Sequence, residues 1–412
     1  MNTPLEDQVH DALHRRVDPI QHAPLTVTDV RHRARRIQRR RAAVAGGAVA
    51  AVLAIAIPVG LSATGTNQRS DVPPATQSPS PTPSPSPAPE VTSGTIEVDP
   101  ESAEVVEQTP VPLLDVDGPT LITPDGTLDL PAAYDTLTPY LDGWAGVARY
   151  DEPDKSGAFI EFLGEDLRVD DGGVPTGGLV ESPDGARIAW SEYDGTRWRV
   201  MVADPAGGTE PVETTFAPTA EEEPVIPVGF VSDDAVAVRA MYNIGDPKTF
   251  VASGGQPVEV PGLLQADTAS STLGVVAGIT EFRPDATCSG VVDAAAGGGR
   301  PAWTTCDHRL GPFSATGTYV VGTLPEAESG SRDITVLDAT TGEEVLTFEA
   351  ALPRRTVGGF WTQMTWVGDE ALVVRLASGE DYVMMRLGLD GSVQRIGIES
   401  AGVSGLKVAM PS

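Results

Sequence analysis

The sequence is organised around one apolar run, Ala42 to Leu61, which directly follows a run of basic residues. No residue from 42 to 61 is charged. A bilayer core of about 30 Å requires about 20 apolar residues in helical conformation. Pro58 falls in the last turn, where membrane helices tolerate a kink. The run predicts one transmembrane helix, residues 42–62, through which the chain would bind the cell membrane.

The charge distribution predicts the orientation of this helix. Residues 1–41 contain nine arginines and five acidic residues, whereas residues 42–412 contain 19 basic and 53 acidic residues. Because positive flanks remain in the cytoplasm, we expect a single-pass plasma-membrane protein with a cytoplasmic N-terminus and an extracellular C-terminal domain. A cleaved signal peptide is the alternative, and Leu61-Ser62-Ala63 offers a small-residue site. Signal peptides have a shorter leader and a shorter apolar region than this chain.

Residues 1–41 predict a short α-helical leader. Thr3 is a suitable N-cap, and Glu6 completes a capping box. The segment is too small to bury a core alone, so it either binds a cytoplasmic partner or serves only topology. The arginines of residues 31–41 lie directly before the apolar run, which favours contact with anionic lipid headgroups. No nucleic-acid partner is therefore expected.

The leader resembles those of actinobacterial single-span membrane proteins, some of which are anti-sigma factors. The zinc anti-sigma family carries a His-x3-Cys-x2-Cys motif in its cytoplasmic domain. The first cysteine of this chain is Cys288, so the zinc form is excluded. A non-zinc anti-sigma-like regulator, acting through the leader, stays open as an alternative function.

Residues 63–90 form a Pro/Ser/Thr-rich linker. Between Asp71 and Pro89, eight of 19 residues are proline. Such a tract cannot pack a core and favours polyproline II geometry, which would extend it to about 60 Å. We expect a disordered spacer.

Residues 91–412 predict an all-β domain. Short strand-like runs such as RIAWS, AVAVRAM and ALVVRL alternate with Gly, Asp and Pro turns. One phrase, Ser182-Pro183-Asp184-Gly185, precedes such a run, and related phrases begin at Thr123, Val231, Ala269, Ser314 and Val367. Proline and aspartate favour a turn and glycine supplies positive φ, so each phrase is interpreted as the turn before a strand.

The stretch SPDGARIAW, from Ser182 to Trp190, resembles the blade motif of TolB-type and WD-repeat-like β-propellers. The resemblance extends as a looser pattern over residues 110–400 and implies six or seven four-stranded blades around a channel. The chain lacks the regular Gly-His and Trp-Asp signatures of WD repeats. Tandem β-sandwiches are the alternative fold.

Cys288 and Cys306 are predicted to form a disulfide. Both belong to the domain expected outside the cell, where an even pair of cysteines indicates a bridge. No Cys-x-x-Cys motif suggests redox chemistry.

The sequence contains no recognisable catalytic, cofactor-binding or metal-binding motif. His308 is the one histidine beyond the apolar run, and neither a nucleophile elbow nor a phosphate loop occurs. Acidic turns such as Asp115–Gly118 lack the terminal glutamate of a calcium loop. Trp361, beside Gly358, Gly359 and Phe360, is a candidate ligand platform.

Two classes of function follow for the outer domain. The first is a membrane-anchored scaffold that binds a protein, peptide or wall ligand, for example in envelope sensing. The second is an exported propeller enzyme acting on glycans, which needs only two carboxylates. The absence of a catalytic motif favours the scaffold.

Overall fold

The computed structural model describes residues 91–412 apart from 116–117, 153–154, 242–246, 284–285, 295–296, 326–329, 353–357, 379–380, 398–404 and 410–412. The predicted leader, transmembrane helix and linker lie outside the described residues. Within the described part, no helix has the length and apolar character of a membrane span. All described strands belong to one compact unit, Ser86–Ser412.

The described residues form seven sheets, called blades 1 to 7 in chain order. Two strands come before the blades, β1 Gly94–Val98 and β2 Glu104–Val106. Blades 1 to 3 contain β3 Leu113–Asp115, β4 Thr120–Thr123, β5 Gly126–Asp129, β6 Tyr134–Tyr140, β7 Gly143–Glu152, β8 Lys155–Leu163, β9 Val169–Pro175, β10 Leu179–Glu181, β11 Ile188–Tyr193, β12 Arg197–Ala203 and β13 Val212–Pro218. Blades 4 and 5 contain β14 Val225–Ser232, β15 Ala235–Met241, β16 Pro247–Ala252, β17 Val258–Glu259, β18 Gln265–Ser270, β19 Val275–Phe282, β20 Thr287–Asp293 and β21 Trp303–Thr305. Blades 6 and 7 contain β22 Arg309–Phe313, β23 Tyr319–Thr323, β24 Asp333–Asp338, β25 Glu344–Ala350, β26 Gly358–Val367, β27 Ala371–Ser378, β28 Asp381–Gly388 and β29 Val393–Ile396, and β30 Leu406–Val408 completes blade 1.

Each of blades 2 to 7 is an antiparallel meander of four consecutive strands. Contacts between neighbouring blades are concentrated on the first strands, which therefore surround a common axis. This arrangement is a seven-bladed β-propeller, the higher of the two blade numbers that the sequence predicts. The alternative of tandem β-sandwiches is wrong.

The meander gives the propeller two different faces. The "turn face" carries the turns between the first and second strands and between the third and fourth strands of a blade. The "crossover face" carries the connections between the second and third strands and those leading from one blade to the next. A residue at the start of a first strand or the end of a second strand therefore lies toward the crossover face.

The core lies between the blades. Trp198 of blade 3 and Phe230 of blade 4 belong to one cluster and are each 1 % exposed. Similar clusters join the other neighbouring blades. Burying one side chain of this size contributes about 1.5–3 kcal/mol. Because each blade has an apolar surface on both sides, it requires two neighbours.

The ring closes within blade 1. The C-terminal strand β30 pairs antiparallel with β3, so that Leu113 lies opposite Val408 and Leu114 opposite Lys407. The two ends of the propeller thus share one sheet, and this pairing replaces a covalent connection between the first and second strands of blade 1.

The two strands before the blades lie on the outside of the ring. Strand β1 pairs in parallel with β25, the fourth strand of blade 6, and β2 pairs in parallel with β29, the fourth strand of blade 7. Both blades therefore have five strands. The chain passes along the edges of two blades before it enters blade 1.

The structure places the repeated turn phrases at two different positions within a blade. Those beginning at Ser182, Val231, Ala269, Ser314 and Val367 join the first and second strands of blades 3 to 7. The phrase at Thr123 also precedes a strand, but it joins β4 to β5, the third and fourth strands of blade 1. The physical reason is that Pro-Asp-Gly suits a tight hairpin wherever one occurs.

We expect removal of the closing strand to destabilise the whole ring. A propeller fragment ending at residue 404 lacks β30 and loses Val408, which is 1 % exposed. The edge of β3 is then left unpaired, and the cost should reach several kcal/mol. Urea unfolding followed by tryptophan fluorescence should show a lower midpoint than that of residues 91–412. A fragment ending at residue 409 is the control, and equal midpoints for all three would contradict closure by β30.

Candidate functional site

The Ser182–Gly185 motif forms the turn between β10 and β11 on the turn face. The Ser182 hydroxyl donates to Asp184 Oδ1 over 2.7 Å, and the Arg187 backbone N–H donates to Ser182 Oγ over 2.9 Å. The bond from Ser182 lowers the pKa of the Asp184 carboxyl, assisted by the Ala186 N–H. Gly185 has a φ of +69°, which a residue with a Cβ adopts only with strain. Pro183 lies within the same turn. The motif therefore has a structural role as the turn between β10 and β11.

Turns of adjacent blades bind one another on this face. In blade 6, the Thr316 N–H donates to Asp369 Oδ1 of blade 7 over 3.0 Å. In blade 3, Arg187 Nε lies 3.7 Å from Asp234 Oδ1 of blade 4. The carboxylates of these turns thus have partners within the ring.

Two exposed leucines on the turn face cover glycines of the next blade. A Cβ added at Gly207 would lie 2.8 Å from Leu141 Cδ2, and one at Gly317 would lie 2.9 Å from Leu273 Cγ. These contacts hold successive turns together. Leu141 and Leu273 therefore have a structural role although they are 43 % and 36 % exposed.

The crossover face of blades 5 and 6 presents large apolar side chains to solvent. Leu264 precedes β18, Phe282 ends β19 and Leu324 follows β23. Their exposed fractions are 41 %, 57 % and 44 %. Strand pairing fixes the positions of these residues within each blade. In blade 5 the Leu264 N–H donates to Ile279 O, and in blade 6 Arg309 lies opposite Thr323, the residue before Leu324.

A disulfide joins Cys288 and Cys306 at the crossover end of blade 5. Ser289 lies opposite Thr305 in the β20–β21 ladder, so the bridge continues that ladder by one position. Closing a loop with a sequence separation of 18 residues stabilises the fold by about 3 kcal/mol. The bridge also fixes the start of the short connection to Arg309 in blade 6.

Three charged residues from three blades meet beside this surface. Arg309 of β22 donates two hydrogen bonds to Asp267 of β18, from Nη2 to Oδ1 over 2.9 Å and from Nε to Oδ2 over 3.3 Å. Gln265 Nε2 also donates to Asp267 Oδ1, over 3.0 Å. Arg239 of β15 lies farther away, with its Nη1 3.7 Å from the same oxygen. We call Arg239, Asp267 and Arg309 the "arginine pair site".

The two guanidinium groups of this site differ electrostatically. Burial lowers the pKa of Arg239, and the charge of Arg309 acts in the same direction, although Asp267 opposes both. The hydrogen bonds to Asp267 raise the pKa of Arg309. Both arginines remain charged at neutral pH, because even a lowered arginine pKa lies far above it. The site therefore carries two positive charges and one negative charge.

A second charged cluster lies inside blade 2. The side chain of Glu161 is 4 % exposed and accepts hydrogen bonds from Tyr134 Oη over 2.9 Å, Tyr150 Oη over 2.7 Å and Lys155 Nζ over 3.0 Å. Lys155 Nζ also lies 3.4 Å from the centre of the Tyr150 ring. This buried carboxylate has three donors, so it stabilises the packing of the blade and presents no group to a ligand.

His308 has a charged neighbour, Glu344, and the described structure gives it no hydrogen bond to a serine, threonine or cysteine side chain. Its Nε2 lies 3.2 Å from Glu344 Oε1, and its ring packs over Gly322. Among the described residues, no group of three or more His, Cys, Asp or Glu side chains could hold a metal ion. Trp361 belongs to β26, but its side chain lies outside the described residues, so the ligand-platform hypothesis stays a prediction.

Sequence reasoning missed the arginine pair site. One signal was available, because Arg239 interrupts the apolar strand AVAVRAM and a charge there needs a partner. The partner could not be read from the sequence, since Asp267 and Arg309 belong to different blades.

The chain matches no family model and no curated protein. Among solved structures, it is similar to TolB from Acinetobacter baumannii, with 14 % identity, 64 % of each chain covered and a TM-score of 0.41. The chain thus spans slightly less than two thirds of that protein. A second similar structure is the Cps50 (Swd1) β-propeller domain of Myceliophteria thermophila, with 11 % identity, 65 % of this chain and 87 % of that chain covered and a TM-score of 0.41. A third is prolyl oligopeptidase B of Galerina marginata, with 10 % identity, 70 % and 46 % covered and a TM-score of 0.44.

We expect replacement of Tyr150 by Phe to flatten the alkaline decline in stability. Burial and the bond to Glu161 raise the pKa of Tyr150 from 10.0 to about 12. A raised pKa contributes stability that is fully present below pH 10 and is lost as the pH rises toward 12. The variant should be less stable at pH 8, by about 1.5–3 kcal/mol for a bond to a charged group, but should lose less on going to pH 11. Urea midpoints at several pH values measure both effects.

The matched control is Tyr193→Phe, because the Tyr193 hydroxyl donates to a neutral oxygen, Thr219 O, over 3.1 Å. At pH 8 that variant should lose less stability than Tyr150→Phe, since a hydrogen bond between neutral groups contributes about 0.5–1.5 kcal/mol. Identical alkaline slopes for Tyr150→Phe and the wild type would contradict the role assigned to Glu161.

Proposed function

We propose that this chain is a membrane-anchored binding protein whose propeller recognises an extracytoplasmic protein or peptide. The ligand binds the crossover face of blades 5 and 6, on the surface formed by Leu264, Phe282 and Leu324. A role in envelope sensing follows if the leader transmits binding to the cytoplasm.

The observation that carries this proposal is the contrast between the two faces. On the turn face, the exposed Leu141 and Leu273 lie over glycines of the next blade, and Asp369 binds the neighbouring turn. On the crossover face, three large apolar side chains are 41–57 % exposed on two adjacent blades. Exposed apolar side chains that cluster and have polar neighbours are typical of protein-binding surfaces.

The frame around this surface suits recognition. The first strands of blades 5 and 6 position Gln265 and Arg309, and the disulfide fixes the outer strands of blade 5. Binding groups on a rigid sheet lose little conformational entropy when a ligand docks. This preorganisation supports binding without requiring a reaction.

The membrane part of the proposal rests on the sequence. The uncharged run from 42 to 61 and the excess of acidic residues after it support a single span with the propeller outside. The proline-rich residues between them support a spacer that separates the propeller from the lipid.

The orientation has a direct test in intact cells. Protease added to spheroplasts should degrade the propeller and spare the N-terminal leader, since only the outer part is accessible. Antibodies to epitopes at each end, on immunoblots, distinguish the two parts. Degradation of the leader with a protected propeller would reverse the proposed topology, and lysed spheroplasts serve as the control.

The binding surface is tested with a pair of matched substitutions. Phe282→Glu places a charge on the crossover face, whereas Val258→Glu does so at an equally exposed position, 57 %, on β17 at the outer edge of blade 4. Full-length proteins carrying either change are crosslinked in their own membranes and purified. We expect Phe282→Glu to abolish crosslinking to the ligand and Val258→Glu to retain it. Equal crosslinking by both variants would exclude the crossover face as the binding surface.

A further inference from the structure

We propose that the arginine pair site binds a carboxylate of the ligand, so that the partner is an acidic peptide or peptide segment. This inference rests on the proposed function and specifies the chemistry that the crossover face recognises. The groups that bind the carboxylate are the guanidinium of Arg239 and the outer part of the Arg309 side chain.

The first argument is that Asp267 is already occupied. Its Oδ1 accepts from Gln265 over 3.0 Å and from Arg309 over 2.9 Å, and its Oδ2 accepts from Arg309 over 3.3 Å. Arg239 approaches only to 3.7 Å, beyond hydrogen-bonding distance. Asp267 therefore binds Arg309 through two hydrogen bonds, whereas it pairs with Arg239 through charge alone.

The second argument is the state of Arg239 itself. Its Nε is buried and has no hydrogen-bond partner in the structure. Within the described part of the chain, Asp267 is the one carboxylate within 4 Å of Arg239. A largely buried guanidinium whose one carboxylate neighbour lies beyond hydrogen-bonding distance is costly, and a carboxylate that reaches the exposed part of the Arg239 side chain would reduce that cost.

The third argument concerns which anion fits. An arginine fork binds carboxylate and phosphate, both in bidentate geometry. The site has an excess of one positive charge, which one carboxylate neutralises. A phosphate dianion would leave a net negative charge beside Asp267, in a domain already rich in acidic residues. The charge balance therefore favours the carboxylate.

The fourth argument is position. Arg309 begins β22 and Gln265 begins β18, so both lie toward the crossover face, next to Leu264. The Arg309 side chain is 41 % exposed and that of Arg239 is 24 % exposed. A peptide that covers Leu264 can thus bring a carboxylate to both guanidinium groups.

The test measures binding of synthetic peptides to the full-length protein in detergent micelles by fluorescence anisotropy. The probe is a capped, labelled peptide of alternating Gly and Glu. The same peptide with Gln in place of Glu removes the carboxylates, and one with phosphoserine in place of Glu offers phosphate. We expect the Glu peptide to bind most tightly and the Gln peptide at least about tenfold more weakly.

Substitutions locate the site. Arg239→Gln and Arg309→Gln should each weaken binding of the Glu peptide at least about tenfold. Arg283→Gln is the matched control, because Arg283 is also on the crossover face, is 54 % exposed and pairs with Glu281. It should change the affinity little. Asp267→Asn removes the competing carboxylate and should tighten binding, a gain that misfolding cannot produce.

Each contrary result has a definite meaning. Equal binding of the Glu and Gln peptides, or no binding of either, would overturn the carboxylate site and leave the Phe282→Glu test of the proposed function unaffected. Tighter binding of the phosphoserine peptide would replace carboxylate by phosphate as the ligand chemistry and so overturn the proposal. Unchanged affinity in both arginine variants, with urea midpoints equal to the wild type, would place the anion elsewhere.

Discussion

The structure depends on closure of the ring by one short strand. Every blade has two apolar surfaces, and neither is buried unless a blade lies on each side. Leu113 and Val408 face each other across the β3–β30 ladder and pack against Val373 of blade 7. This pairing converts a linear array, whose terminal blades would each expose a core surface, into a ring without ends. Stability is therefore shared by all the blades.

The two faces of the ring differ in how their exposed side chains are used. Turns of adjacent blades meet on the turn face, so a glycine in one turn can receive a leucine from the previous blade, as Leu141 and Gly207 show. On both faces the connections differ in length and sequence from blade to blade. Such connections are free to vary without disturbing the frame. Recognition is expected on the crossover face, where Leu264, Phe282 and Leu324 are exposed.

The sequence predicted the fold class but not the candidate site, for identifiable reasons. The turn at Ser182 could be recognised because its hydrogen bonds are local, within six residues. The turn at Thr123 could be recognised too, but local chemistry does not encode which strands of a blade a hairpin joins. The first strand of blade 1 could not be placed from local pattern, since its partner β3 lies almost 300 residues away. The contact between Arg239 and Asp267 likewise depends on how two blades align, which no spacing reveals.

The parallel strands β1 and β2 have a mechanical consequence. Each adds a fifth strand to a blade that keeps four others, and β2 has only three residues in its ladder. Tension applied at residue 91 would first separate β1 from β25, and then β2 from β29, before it reached β3. We therefore expect the two edge strands to detach before the closing ladder of blade 1 bears the load.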